Sequence, residues 1–150
     1  MKTFGKVIAV IGVLLAIVFA KGIGKMVGKY TAGSYEQGKI EATVEQRLLD
    51  TSKKINAHLP MMVDSETRWD TTICIGKRMS YIYTMVNLTE KDIDKIAFAY
   101  EIKTMLVKNL CSNQDMVKML KMGVQYDYMY KDMNGILIAS ININKSHCGF

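Results

Sequence analysis

An uninterrupted apolar run from Val7 to Ala20, with Lys2 and Lys6 and no acid ahead of it, divides this chain before any fold is considered. A basic flank followed by an apolar core of this length has the layout of a secretory signal. The ending Val18-Phe19-Ala20 offers small or branched residues at a cleavage position. Apolar character then resumes at Ile23, Met26 and Val27, and lysine side chains at either end can snorkel to an interface. Phe4 to Ile23 is therefore long enough for a thin membrane span, and an uncleaved anchor is the preferred expectation. Residues 1–29 are assigned to this signal or anchor and its glycine-containing stem, and residues 30–150 to one domain. The Gly24 to Gly28 spacing lies outside the apolar run and says little about helix pairing.

Charge and cysteines pull the topology in opposite directions. Lys21, Lys25 and Lys29 outnumber Lys2 and Lys6, which by the positive-inside rule would keep the remainder in the cytoplasm. Cys111, at the end of an expected helix, and Cys148, two residues from the C-terminus, stand where a bridge would fasten a tail that otherwise frays. Such a bridge persists only in an oxidising compartment. The expectation is thus an inner-membrane protein with its C-terminal domain in the periplasm, or one secreted to it. Cys74, in the strand-like run 71–75, reads as a small buried residue.

Beyond the stem, Ser34 and Gln37 form a capping-box pattern, and Ile40, Val44 and Leu48 share one helical face, predicting a helix over about 35–57 that ends before Pro60. Thr89 with Asp92 and Ser112 with Asp115 repeat the pattern. They predict a helix to about Leu110 and a short one ending at Gly123. Period-two patterning with β-branched and aromatic residues marks strands over 79–87, 124–130 and 136–143, and one or two more lie within 61–75. Asn134-Gly135 predicts a hairpin between the last two strands. The fold class expected is α+β, a small antiparallel sheet with helices packed on one face behind an N-terminal membrane or signal helix.

Composition limits the chemistry. Two of the six excess positive charges are Lys2 and Lys6, and the remaining lysines are scattered among acids rather than gathered into a stripe, so nucleic acid is not an expected partner. The twelve methionines read as core packing. No glycine-rich phosphate loop, zinc-ligand spacing or nucleophile elbow is present, so neither cofactor nor metal is expected.

Two patterns are candidates for function. Asp64, Glu66, Arg68 and Asp70 alternate, so on a continuous strand all four would project from one face. Carboxylates flanking a guanidinium suit a cationic partner or acid–base work, against the plainer account of a solvated strand with Arg68 bridging its neighbours. Tyr81, Tyr83, Tyr126, Tyr128 and Tyr130 also recur at period two. Cross-strand packing explains that ladder more simply than a binding platform. His58 and His147 have no evident catalytic partner in sequence.

The segments Leu59-Pro60-Met61-Met62-Val63-Asp64 and Thr67-Arg68-Trp69-Asp70 carry a resemblance to a family of small bacterial envelope proteins of unassigned activity. The strand Tyr81 to Asn87, Cys111 with Gly123-Val124 after it, and a C-terminal Cys148-Gly149 are similar too, so the likeness covers 59–150. It implies an envelope location and a Cys111–Cys148 pair. Trp69, where a smaller apolar residue is expected, and Cys74 depart from the family pattern. The leading functional expectation is a non-enzymatic module that binds a protein through Asp64, Glu66, Arg68 and Asp70, or through a sheet edge, and meets the membrane through residues 4–23. The alternatives are a small periplasmic hydrolase using Asp64, Glu66 or Asp70 with a histidine, and an immunity protein that blocks a toxin.

Overall fold

The computed structural model describes residues 37–150. The expected membrane segment, the Ser34 cap and the stem lie outside the described residues, among which no helix is long and apolar enough to cross a membrane. In chain order the elements are α1 (Gln37–Asn56), β1 (Met61–Met62), β2 (Thr67–Ile75), β3 (Arg78–Met85), a 3-10 turn (Glu90–Asp92), α2 (Lys95–Ser112), α3 (Gln114–Lys121), β4 (Gln125–Lys131), β5 (Leu137–Ile143) and a C-terminal 3-10 turn (Lys145–Cys148). They form an α+β fold around one five-stranded sheet of order β1-β2-β3-β4-β5.

The sheet is mixed, not antiparallel throughout. β3 and β4 run parallel, with Tyr81 opposite Tyr128 and Tyr83 opposite Tyr130, while the other three pairings are antiparallel. The reason is the connection. Gly76-Lys77 and the 132–136 segment are too short for anything but hairpins, whereas α2 and α3 carry the chain the length of the sheet and return it to the end where β3 began. Gly76 turns the first hairpin at φ +56°, a conformation that favours glycine.

All three helices cover the same face. Ser52 of α1 meets Thr72, Phe98 of α2 sets its edge against Tyr130, and Met116 of α3 meets the Tyr126 hydroxyl. Alternation along β4 explains the burial: Tyr126, Tyr128 and Tyr130 point inward, while Gln125, Asp127, Met129 and Lys131 are half-exposed. Opposite them, Phe98, Ile102, Leu106 and Leu110 recur every four residues and put one stripe of α2 into the core. Val44 and Leu48 do the same for α1. Met79, Met85, Met116 and Met119 are core, but Met61, Met62 and Met133 are exposed, so the methionines are only partly packing residues.

Two helix starts differ from expectation. Thr89 and Asp92 do pair, with Asp92 accepting from the Thr89 main chain at 2.9 Å and from its hydroxyl at 2.6 Å, but they close the 3-10 turn. Asp94 caps α2 instead, accepting from Ile96 and Ala97 N–H groups at 3.0 Å each. Likewise Asn113, not Ser112, caps α3 through bonds from Asp115 and Met116. Both caps place an acceptor oxygen against first-turn donors that lack helical partners.

Candidate functional site

The four alternating polar residues do not share one strand face. β2 starts at Thr67, and Asp64 and Glu66 belong to the turn before it. The Asp64 side chain makes that turn: its Oδ1 accepts from the N–H groups of Glu66 and Thr67, both at 2.7 Å. A short side chain that engages main-chain donors two and three residues on competes with extended pairing, which is why the strand does not reach back through Asp64. Asp64 Oδ2 and Glu66 Oε2 are both buried and unpaired.

Arg68 and Asp70 project from the face that none of α1, α2 and α3 covers. Their side chains meet at 2.6 Å, and the Thr84 hydroxyl of β3 donates to the other Asp70 oxygen at 2.6 Å. Asp70 sits at a register shift between Trp69 and Thr71, which turns it toward β3 rather than along the row. With Arg68 43% exposed, the pair contributes about 0–1 kcal/mol and mainly fixes two side chains in place.

A second polar group on the same open face was not singled out from sequence. Asn142 of β5 donates to Asp127 at 2.6 Å, Arg78 approaches Asp127 at 3.5 Å and donates to Gln125 at 3.1 Å, and Ser80 reaches Asp127 at 3.4 Å. Their signal was present: Gln125 and Asp127 occupy the positions that alternate with the tyrosines, so they had to lie on the opposite face. Ile73, 45% exposed, stands in the row with Ser80, Asp127 and Asn142. The result is an open, polar sheet face with isolated apolar residues, suited to contact with a surface rather than to enclosing a small substrate.

The tyrosine ladder is packing. Tyr81 stacks on Tyr128 and Tyr83 on Tyr130, both with centroids 5.1 Å apart, and Trp69 stacks on Tyr83 at 5.9 Å. Burial holds the hydroxyls of Tyr81, Tyr83, Tyr126, Tyr128 and Tyr130 well above the ordinary tyrosine range. Cys74 is free and half-buried, and burial, then the nearby Glu45 carboxylate, push its thiol up. His58 is exposed at the end of α1, while His147 bonds with Asn144 in the C-terminal turn. Among the described residues no hydrogen bond joins either histidine to Asp64, Glu66 or Asp70. No group of three potential metal ligands occurs among them either.

Cys111 and Cys148 are joined, with Cα atoms 5.4 Å apart. The bridge ties the last turn to the end of α2, and Lys121 lies over the Phe150 ring at 4.4 Å.

This architecture, a five-stranded sheet with helices on one side, recurs in solved structures. A Pseudomonas aeruginosa protein described as secreted matches with a TM-score of 0.62 at 12% identity, covering 77% of this chain and 99% of that one. The pilotin EpsS of the Vibrio vulnificus type 2 secretion system matches at 0.59 and 14% identity, over 75% of this chain and 98% of its own. The Vibrio cholerae type II secretion pilotin AspS gives 0.57 and 14%, over 74% and 97%. At these identities the likeness is one of fold. No protein-family model and no curated protein sequence matches the chain.

Proposed function

We propose that this chain is a non-enzymatic protein of the bacterial envelope whose α+β domain binds another protein on the periplasmic side. Residues 4–23 serve as its membrane anchor or export signal. The observation that carries this is the fold match to two secretion-system pilotins, nearly all of whose length is covered. The Cys111–Cys148 bridge supports it, because such a bond survives outside the reducing cytoplasm. So does the resemblance of residues 59–150 to small bacterial envelope proteins. The partner meets the open sheet face, where Arg68 and Asp70 are held in fixed orientation beside Ile73, and the adjoining turn that carries Asp64 and Glu66.

The test is a photo-crosslinking residue placed at Ile73 in living cells, with one at exposed Glu101 of α2 as comparison. A discrete adduct from position 73, absent from position 101 and lost when Arg68 and Asp70 are both replaced by alanine, is expected. A reporter fused after Phe150 should be active in the periplasm. Adducts from neither position, or a reporter active only in the cytoplasm, overturns the proposal.

A further inference from the structure

β5 is the last strand of the sheet, and among the described residues no strand pairs with its outer edge. The opposite margin is guarded by brevity, since β1 is only two residues long. An exposed strand edge invites another chain to pair with it, and proteins usually blunt such an edge with charge, proline or a short strand. β5 uses none of these. It runs for seven residues, and no charged residue or proline occurs from Met133 to Asn144.

The helix over this margin carries a matching feature. Ile96 is 85% exposed and Tyr100 72%. With Lys103, Val107 and Cys111 they recur every three or four residues, so the five share one side of α2, beside the stripe of Phe98, Ile102, Leu106 and Leu110 that enters the core. Two observations orient that side. Cys111 is joined to Cys148, in the turn that follows β5. The connection through α2 and α3 also joins parallel neighbours β3 and β4, for which a right-handed crossover is the rule, and that hand turns this side of α2 away from β4 and past β5. Because α2 packs along β5, the strand edge and the helix stripe form one flank in two layers.

We propose that this flank pairs with its counterpart on a second copy of the chain. The two β5 strands run antiparallel about a twofold axis near Ser140, the midpoint of Leu137–Ile143, and the two α2 stripes meet above them. A second copy suits the flank better than an extended segment of another protein. A lone strand would complete the sheet and leave Ile96 and Tyr100 bare, whereas a copy brings strand and helix at the same separation by symmetry. Neutral β5 also meets neutral β5, so no like charges oppose each other along the seam. Lys103, the charged member of the helix stripe, can lay its aliphatic stem along the contact and keep its ammonium in water. With the twofold axis perpendicular to the sheet, both open faces lie on the same side, so the surface proposed for the protein partner is doubled and stays uncovered.

The test co-expresses two differently tagged copies of the full chain, each with a photo-crosslinking residue at exposed Ser140, and irradiates the cells. The same residue at exposed Glu101, outside the stripe, is the comparison. An adduct of twice the chain mass that carries both tags is expected from position 140, at least tenfold more abundant than from position 101. Its yield should fall at least tenfold when Ile96 and Tyr100, whose exposure leaves the core untouched, are both replaced by glutamate. Absence of the doubly tagged adduct, equal yields from positions 140 and 101, or a yield unchanged by the two glutamates would overturn the pairing. An adduct from position 140 with a different protein alone would overturn it too and assign the edge to that protein's strand. The Ile73 cross-link reads the open face and is scored separately, so either proposal can fail without the other.

Discussion

Asn56, the last residue of α1, holds Thr72 of β2 by three hydrogen bonds. Its Oδ1 accepts from the Thr72 main-chain N–H at 2.7 Å and hydroxyl at 2.9 Å, and its Nδ2 donates to the Thr72 carbonyl at 2.8 Å. β1 is only two residues long and pairs with Arg68 and Trp69, so it does not extend along β2 as far as Thr72. The amide of Asn56 does there what a neighbouring strand would do, and it closes an edge that would otherwise be open to another chain. Ser52, one turn earlier, adds a hydroxyl contact with Thr72 at 2.8 Å.

Asn56→Ala should therefore destabilise the domain by about 2–4 kcal/mol, because it strands a main-chain donor and acceptor as well as removing bonds. Ser52→Ala, which leaves both Asn56 main-chain bonds in place, should cost about 1 kcal/mol. Urea denaturation of the two variants measures the difference. Equal costs would show that the amide does not act on the strand edge.

The five inward tyrosines predict how the chain fails in base. Their folded-state values lie above the unfolded value, so each binds its proton more tightly in the native state, and stability present below about pH 10 is lost as pH rises beyond it. Ionisation followed at 295 nm should show these five ionising only as the circular dichroism is lost. Ionisation of these five with the fold intact would contradict the packing described.

Much of this was legible in the sequence because it follows from local periodicity. The four-residue spacing of Val44 and Leu48, the period-two tyrosines and Asn134-Gly135 located a helix, two strands and a hairpin without tertiary information. What was hidden depended on partners far along the chain. The parallel pairing of β3 with β4 is set by how α2 and α3 pack, which no short window contains. The row from Asp64 to Asp70 broke because one carboxylate bonds the main chain ahead of it, a local event that alternation alone does not distinguish from a strand. The unpaired hydroxyls of Tyr83 and Tyr130 were invisible for the opposite reason: sequence shows a phenol but not whether anything meets it.

Asp132 links two loops. Its Oδ1 accepts from Asn134 and Ile136 N–H groups at 2.8 Å each inside the β4–β5 hairpin, and its Oδ2 accepts from Glu90 N–H at 3.0 Å. Burial alone would favour the neutral acid, but the main-chain donors of Ile136, Glu90 and Asn134 outweigh it and hold the carboxyl below its ordinary value. A depressed folded-state value means stability that is present above about pH 4 and is lost as pH falls through the folded value. Asp132→Ala should thus be clearly less stable than the parent at pH 7, with faster amide exchange at Glu90 and Ile136, and the gap should narrow in acid. A gap independent of pH would mean that the charge is not what binds the loops.

The Cys111–Cys148 bond spans 37 residues of sequence. Cross-linking a loop of that length removes unfolded-state entropy equivalent to about 4 kcal/mol in the chain-entropy model. The tail it fastens has little else: the C-terminal 3-10 turn has no fully buried residue, and Phe150 is held mainly by Lys121 and one main-chain bond to Lys145. Reduction should therefore act in two places. Global stability should fall by about 3–4 kcal/mol in urea, and amide exchange should accelerate first at His147 and Gly149, well before α2 or the sheet loosens. Replacing Cys148 with serine should reproduce both effects, whereas reducing agent should then do nothing further, since Cys74 is unpaired. If the serine variant matched the oxidised parent in stability, the covalent link would be incidental to the fold, and its bearing on the compartment in which the chain resides would lapse with it.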